Sequence, residues 1–547
     1  MLKKLYITLL ISMAAFHLAL LADDFDFDFD NLDALEHAID DIPDTVLTQK
    51  SKHIDVKALN NDDLQDCVEI LTDSSIGVNT IPILRVPLYL KTYPLHQRSV
   101  HDLPFFNLWL TCPSDNSVFR LDAFYNQTDR SNFTAGSTNI RDYIALEDEN
   151  LIQAIEEAEA KIRTTFPDFD LNIPNILSLF SCMTVQERRV GIMLQGMKNT
   201  ECWQFIAKLP VMYVEHNFFL TDEEISIIQN QNIPGISASP TGQPQGDTKK
   251  QLQKHLVRDA LQLGDFRFDI AYALHTSPTR QSYLGFECTL PTHFNFKQGL
   301  LGRKHERKCL TPDFDVCEII QLGINGGAED RQIATDRVSA FFIGALDQLT
   351  ANVLDPNPYN DGRHVTVGLY TNSCIQLCDW LTIRNKNTLS YVTAAKENRY
   401  YILDRNPAKF DRDYEDPDKA RENMDFLNQQ FIEKFYPHVV PTNVRPGIIL
   451  QMTTHAQFTW WNWGLAFGGD LWWQSQETIT HHECLHGLDF QKGIQPEAFQ
   501  TKMSALLTYR KEKPHHLWNI YAGIEGTTIS SGIGKDFSLV LGFEVDF

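Results

Sequence analysis

The stretch Phe537-Ser-Leu-Val-Leu-Gly-Phe-Glu-Val-Asp-Phe547 carries the pattern that decides the fold. Its apolar residues share one parity, namely Phe537, Leu539, Leu541, Phe543, Val545 and Phe547. The other parity holds mainly polar or small residues such as Ser538, Gly542 and Glu544. Because successive side chains of a strand point to opposite faces, this alternation predicts a strand with one apolar and one polar face.

The same alternation recurs along most of the chain from residue 74 onward. The further candidate strands are residues 83–90, 105–112, 118–125, 190–197, 203–218, 266–274, 284–290, 365–370, 448–453, 465–473, 503–510 and 518–525. We therefore predict an all-β fold over residues 74–547, with roughly 12 to 14 antiparallel strands. Helical periodicity interrupts the series near residues 148–165, 248–263, 330–353 and 416–436, which we interpret as helical loop insertions.

The N-terminal segment has the features of an export signal. Lys3 and Lys4 precede an apolar stretch, and Ala22 stands before an abrupt acidic switch at Asp23. This pattern predicts a secretory signal peptide over residues 1–22. Beyond it, no apolar stretch reaches the roughly 18 residues of a spanning helix. The exported chain is therefore either soluble or a membrane-spanning β-barrel, because only helices and closed barrels satisfy every backbone group in lipid.

Residues 23–73 and the overall charge add further expectations. This segment begins with alternating Asp and Phe and continues with a short amphipathic pattern, so we expect an acidic tail and a short helix, either periplasmic or plug-like. The net charge of −23 argues against nucleic acid as a partner, and it suits a preference for cations if solutes pass.

Alternation alone does not decide whether the apolar face meets a core or lipid. A tryptophan cluster favours lipid, because the half-apolar indole ring suits the membrane–water interface. Its members are Trp460, Trp461, Trp463, Trp472 and Trp473. The chain also stops on the apolar parity at Phe547, where a soluble domain would gain nothing from a terminal aromatic residue.

Residues 540–547 resemble the C-terminal insertion signal of bacterial outer-membrane β-barrel proteins, which the barrel-assembly machinery recognises. That signal runs polar, any, Gly, any, any, apolar, any, aromatic. Gly542, Val545 and Phe547 match it, whereas Val540 stands where a polar residue is expected. The resemblance implies a transmembrane antiparallel β-barrel in the outer membrane of a Gram-negative-type bacterium, with membrane lipid and the barrel-assembly machinery as partners.

The function implied by this class is a porin-like channel for small solutes or a structural surface protein. In a barrel the polar parity faces the lumen, where charged side chains set ion preference or brace the wall. The lumen candidates are Arg267, Asp269, Glu287, Asp470, Arg510, Glu525, Glu544 and Asp546. No cofactor is expected.

Two other classes stay open. His482-Glu483-Cys484-Leu485-His486 satisfies H-E-x-x-H, so a secreted zinc metallohydrolase is an alternative, with His482 and His486 as ligands and Glu483 as general base. The context weakens it, because Gly487 would end a helix immediately after the motif. The other alternative is a soluble, secreted, β-rich binding protein.

Overall fold

The computed structural model describes residues 98–107, 117–129, 184–200, 202–219, 254–277, 279–301, 363–401, 438–480, 494–513 and 516–546, with single residues between 322 and 350. The predicted signal peptide, the 23–73 segment, the insertions at 148–165 and 416–436, the H-E-x-x-H motif and Phe547 lie outside the described residues. Those described between 329 and 350 are helical. No helix among the described residues is long and apolar enough to cross a membrane.

The described residues form seventeen strands. They are β1 Ser117–Thr128, β2 Thr184–Asn199, β3 Trp203–Phe219, β4 Val257–Leu263, β5 Phe266–Thr276, β6 Arg280–Leu290, β7 Phe294–Gln298, β8 Thr366–Cys378, β9 Leu381–Val392, β10 Ala395–Tyr401, β11 His438–Arg445, β12 Gly447–Trp460, β13 Trp463–Gln474, β14 Thr478–Thr480, β15 Ala498–Lys513, β16 His516–Ser531 and β17 Asp536–Asp546.

Twelve of these strands close into an antiparallel barrel, which confirms the predicted fold class. Going round the wall, the order is β2, β1, β17, β16, β15, β13, β12, β9, β8, β6, β5 and β3, and β3 pairs with β2 to complete the ring. The last strand therefore lies beside the first, with Val118 opposite Asp546. Closure gives each strand two neighbours, so its backbone groups are paired on both sides.

The two ends of the barrel differ in their connections. Tight turns join β2 to β3, β5 to β6, β8 to β9, β12 to β13 and β15 to β16, all at the end that we call the short-turn end. At the opposite, long-loop end the connections are longer, except between β16 and β17. Trp461 adopts a positive φ of 53° in the β12–β13 turn. Short turns at one end and long loops at the other are typical of outer-membrane barrels.

Five remaining strands extend the wall beyond the long-loop end as two lobes. In the first, which we call the β4–β7 lobe, β4 pairs with the end of β3 and with β7. In the second, β10, β11 and β14 form a separate sheet of three strands. Each lobe strand continues a barrel strand after a short break, as at Gly264, Pro446 and Ser475.

The polarity of the barrel is the reverse of a soluble protein. The outward parity is apolar and exposed, and it includes Ile192, Leu284, Leu369, Leu389, Phe467, Met503, Leu507, Ile520, Ile524, Leu539 and Leu541. Met503 is 68% exposed and Leu541 is 61% exposed. The inward parity is polar, charged and buried, as described below. A soluble sandwich would bury the apolar parity instead, so the alternation places the apolar side chains outside.

Aromatic residues cluster at both edges of the apolar outer surface. At the short-turn end, Trp203 contacts Tyr272 (ring centroids 5.2 Å apart) and Trp463 contacts Tyr509 (4.9 Å). Two further pairs there are Trp380 with Phe458 and Trp518 with Phe543. At the other edge, Tyr125 lies 5.8 Å from Phe537.

A ten-residue segment, residues 98–107, lies inside the barrel, and we call it the plug. It contains a 3-10 turn at Val100–Asp102 and a short helix, α1, at Pro104–Asn107. Its apolar residues share a buried cluster with inward side chains of the wall, including Phe124, Met193, Met212, Leu506 and Val540. The wall residues of this cluster come from consecutive strands of the ring, from β3 through β2, β1, β17, β16 and β15 to β13, so the plug packs against one side of the wall.

Two predicted elements were wrong. Residues 105–112 were predicted as a strand, but residues 104–107 form α1, because Phe105 and Phe106 are both buried inside the barrel and need no exposed apolar face. Residues 248–263 were predicted as helical, but only 254–256 are helical among those described, and Val257–Leu263 is strand β4. Pairing with β3 and β7 supplies this segment with backbone partners and overrides its local helical pattern.

Candidate functional site

The lumen is lined by the charged parity of the strands. Seven of the eight predicted lumen charges are buried there: Arg267, Asp269, Glu287, Asp470, Glu525, Glu544 and Asp546. Arg510 differs, because its side chain is 49% exposed and pairs with Glu512 (Nη2–Oε1, 3.0 Å). Buried charges cost free energy unless they are paired or hydrogen-bonded, and five of the seven take part in ion pairs: Arg267, Asp269, Glu287, Asp470 and Glu525.

Wall side chains hold the backbone of the plug. Four plug carbonyls accept hydrogen bonds from inward side chains on β1, β2, β3 and β12. Donor first, the bonds are Arg189 Nη1 to Arg98 O (2.6 Å), Gln451 Nε2 to Asp102 O (2.7 Å), Arg120 Nη2 to Phe105 O (2.8 Å) and Lys208 Nζ to Phe106 O (2.7 Å). Three of the donors are cationic, and such bonds are about twice as strong as neutral ones.

Two ion pairs add to this attachment. Arg98 of the plug donates to Asp470 on β13 (Nη2–Oδ2, 2.5 Å), and Arg267 on β5 donates to Asp102 of the plug (Nη2–Oδ1, 2.8 Å). Arg98 also donates to Gln500 on β15 (Nη1–Oε1, 3.1 Å). The plug is thus bonded to strands on opposite sides of the ring, which fixes its position in the lumen.

A narrow cavity of about 20 Å³ separates one side of the plug from the wall. Strands β5, β6, β8, β9 and β12 provide most of its lining. The polar residues that face it include Asp102, Arg267, Glu287, His364, Ser390 and Gln451. Carboxylates, hydroxyls, an amide and a guanidinium in one space suit a polar solute rather than an apolar one.

Lys386 of β9 lies next to Glu287, one of the residues that line the cavity. Its ammonium lies between Glu287 (Nζ–Oε2, 3.3 Å) and Asp269 (Nζ–Oδ2, 3.5 Å). Arg267 lies on the other side of Glu287 (Nη1–Oε1, 3.9 Å) and reaches Asp102 of the plug. Charges of alternating sign therefore cross the lumen from the plug to β9.

Another buried lysine, Lys502, lies on a different part of the wall. Lys502 of β15 contacts Glu525 of β16 (Nζ–Oε1, 3.1 Å) and Asp536 of β17 (Nζ–Oδ2, 2.6 Å). Glu525 also accepts a hydrogen bond from Ser538, and Asp536 accepts one from Asn126. These residues brace neighbouring strands and are not among the residues that line the cavity.

The lobe formed by β10, β11 and β14 contains its own buried network. His364 lies against Glu397 (Nε2–Oε1, 2.6 Å), and Arg399 donates to Glu397 (2.7 Å) and to Glu477 (2.9 Å). The backbone N–H of Gln495 donates to Glu477. Burial raises the pKa of the Glu477 carboxyl, and neighbouring Arg399 opposes that rise. The network ties the lobe to the rim of the barrel.

The predicted interface tryptophans separate into two groups. Trp460, Trp461 and Trp463 are exposed at the short-turn end, at 72%, 87% and 50%. Trp473 lies near the other edge, where its indole N–H donates to Glu497 (3.0 Å). Trp472 corrects the prediction, because it is on the inward parity of β13 and only 1% exposed. Adjacent strand residues cannot both face outward, so only one of the pair Trp472 and Trp473 reaches the surface.

Two residues of the predicted insertion signal are described. Gly542 and Val545 lie on β17 opposite Asp122 and Phe119 of β1, so the signal strand forms the closing seam of the barrel. Gly542 is required there, because a Cβ would lie 2.1 Å from the Tyr521 ring. For the zinc alternative, no group of three or more metal-ligating side chains occurs among the described residues, and His482 and His486 are not among them.

Sequence reasoning missed the plug and several of its wall partners. Arg120 and Lys208 lie on strands that the alternation predicted, and each is 1% exposed on the inward parity. A charged residue within an otherwise alternating strand was the available signal. Arg98, Asp102 and Lys386 carried no such signal. The sequence pattern of residues 98–107 did not indicate a segment inside the barrel, and β9 was not among the predicted strands.

No family model matches the chain, and no curated protein matches it. Solved structures do. An outer membrane channel from Pseudomonas putida F1 is 9% identical, with a TM-score of 0.37 over 80% of this chain and 97% of that one. The Pseudomonas putida toluene transporter TodX is 9% identical, with a TM-score of 0.31 over 85% and 96%. The transport unit of the autotransporter AIDA-I from Escherichia coli is 6% identical, with a TM-score of 0.31 over 82% and 95%.

Proposed function

We propose that this protein is an outer-membrane β-barrel that carries small polar solutes past an internal plug. The observation that carries the proposal is the reversed polarity of the closed barrel. Its outward side chains are apolar and exposed, whereas its inward side chains are charged and buried. An exposed apolar surface that continues round the ring is stable in lipid and would aggregate in water.

The aromatic residues support the same placement. They occupy both edges of the apolar surface, as the girdles of membrane barrels do at the two interfaces. The short-turn end would face the periplasm and the long-loop end the exterior. A signal peptide at residues 1–22 would bring the chain to the periplasm, and Gly542, Val545 and Phe547 would present it to the barrel-assembly machinery.

The chemistry of the lumen favours polar solutes. The cavity beside the plug is lined by Asp102, Arg267, Glu287 and hydroxyl side chains such as Ser390. An apolar solute would have to remove these groups from water or from their partners without replacing the lost hydrogen bonds. The polar lining of this cavity is therefore unsuited to the passage of hydrocarbons such as toluene.

Two measurements test the proposal. The full chain should fractionate with outer membranes, and in mild detergent its electrophoretic migration should shift on heating, as expected for a folded barrel. Purified protein in a planar bilayer should then conduct ions. Recovery in the periplasm or the medium without detergent would contradict the membrane assignment.

A structural role at the surface is the second candidate. The hydrogen bonds and ion pairs from seven wall strands to the plug favour it, because they would stiffen the barrel as well as fill it. A heat-modifiable barrel without conductance would indicate this role rather than transport.

A further inference from the structure

We propose that the cluster of Glu287, Asp269 and Tyr370 beside the lumen cavity is a recognition site for small solutes that carry a primary ammonium group, occupied at rest by the ammonium of Lys386. This inference rests on the proposed channel function and names the class of solute. It goes beyond polarity, because it assigns a site and the groups that recognise the solute.

The surroundings of Lys386 are those that an ammonium ion requires. Its Nζ lies 3.3 Å from Glu287 Oε2 and 3.5 Å from Asp269 Oδ2. The same atom lies 4.4 Å from the centroid of the Tyr370 ring. Two carboxylates supply charge, and the face of an aromatic ring attracts a cation through its quadrupole. All four side chains are buried, with Lys386 4% and Asp269 1% exposed.

The site has binding capacity that Lys386 leaves unused. Among the described residues, Asp269 Oδ1 and the Tyr370 hydroxyl are buried without a hydrogen-bond partner. The distances from Lys386 Nζ to both carboxylates also exceed the roughly 2.7–2.9 Å that is usual for a charge-assisted hydrogen bond. An ammonium carries three N–H donors, so a free ammonium ion can approach these acceptors more closely than one held on a tether.

The cavity leads to this site through Glu287. That carboxylate lines the cavity, where it accepts a hydrogen bond from Ser390 (2.9 Å), and its other oxygen faces Lys386. A solute in the cavity can therefore contact Glu287. Its ammonium can then replace that of Lys386, whose flexible stem allows the side chain to move aside. The charge between the two carboxylates is unchanged by this exchange, whereas the displaced ammonium of Lys386 stays attached to β9 and adds its positive charge elsewhere in the lumen.

Lys502 provides a matched comparison. It is also a buried lysine between two carboxylates, Glu525 and Asp536, with shorter distances of 3.1 and 2.6 Å. Neither carboxylate lines the cavity. A substitution of Lys502 therefore removes the same charge from the lumen wall without touching the proposed site.

The experiment compares wild type, Lys386→Met and Lys502→Met in planar bilayers under a gradient of methylammonium chloride. The reversal potential gives the permeability of methylammonium relative to chloride. We expect Lys386→Met to raise this ratio at least threefold, because the site is freed and its carboxylates lose their internal counter-ion. Lys502→Met should leave it within twofold of wild type. An unchanged ratio in Lys386→Met, or an equal rise in both variants, would overturn the inference.

Tyr370→Leu gives a second readout without a change of charge. We expect the permeability of methylammonium relative to Na⁺ to fall at least twofold when the ring is removed, and an unchanged ratio would count against the site. The Tyr370→Leu variant also tests the site if Lys386→Met does not fold, which heat-modifiable migration would show. If folded wild type shows no conductance, the proposed channel function itself fails. Conductance with unaffected ratios removes only the ammonium site.

Discussion

The ring of Phe105 in the plug lies directly against Gly523 of β16. A Cβ built on Gly523 would lie 2.8 Å from Phe105 Cε1 and 2.6 Å from Leu506 Cδ1. Both distances are shorter than real Cβ contacts, so any side chain at this position must move the plug or its neighbour on the wall. The plug can therefore pack in its present position only because Gly523 has no side chain.

The substitution Gly523→Ala should displace the plug from its position against β16. We expect a loss of about 1–3 kcal/mol in the free energy of unfolding, as for other overpacked interiors. Urea titration in phospholipid vesicles, followed by tryptophan fluorescence, measures it. Gly526→Ala on the same strand is the control, because a Cβ there meets nothing within 4 Å. Equal effects of the two substitutions would show that Gly523 does not position the plug.

The ion pair between Arg98 and Asp470 should couple the plug to the wall. Removal of either partner leaves a buried charge, which typically costs about 3–5 kcal/mol. A double-mutant cycle with Arg98→Met and Asp470→Asn should therefore show a double variant less damaged than the sum of the single ones. Strict additivity in urea titrations would mean that the two residues stabilise the barrel independently.

Leu541→Arg tests the lipid-facing surface. Leu541 is 61% exposed near the middle of β17, so in a soluble protein the substitution would change stability by less than about 0.5 kcal/mol. In a bilayer the arginine would cost about 2–4 kcal/mol. Unfolding in phosphatidylcholine vesicles decides between these values. Thr480→Arg, on the exposed face of β14, should be nearly neutral, and a similar loss there would point to a general effect of charge.

Val540→Asn would restore the polar residue expected at that position of the insertion signal. Val540 is 4% exposed and packs in the apolar cluster of the plug. An asparagine there would bury an amide without partners, at a cost of about 1–3 kcal/mol. We expect reduced stability in vesicles, with the yield of inserted barrel in cells no higher than wild type. Greater stability than wild type would remove the packing explanation for this valine.

The alternation of the strands could be predicted from the sequence because it depends on local geometry. Side chains two residues apart share a face, so Leu539 and Leu541 had to lie together, and Glu544 and Asp546 had to lie opposite them. The strands predicted from the same rule at residues 203–218, 266–274, 465–473 and 518–525 lie within β3, β5, β13 and β16. The rule also placed most of the lumen charges, since a charge on the polar parity had only one face available.

The errors have a common physical cause. Val257–Leu263 carries a helical pattern, yet it is a strand because β3 and β7 supply its backbone partners. Phe105 and Phe106 fit a strand pattern, yet both are buried against the inner wall of the barrel. Val540 appeared to depart from the insertion signal, and its reason lies in the plug, far away in the chain. In each case a tertiary contact outweighed the local pattern.

The sequence by itself determined that this chain forms amphipathic strands, which surface of each strand is apolar, and that a signal-like last strand is present. Those properties are set by neighbours along the chain. Only the tertiary structure decided that residues 98–107 fill the lumen, that a cavity remains beside them, and that Lys386 meets Asp269, 117 positions away in the sequence. Such pairs exist only after the ring closes, because closure brings the inward faces of distant strands within reach of one another.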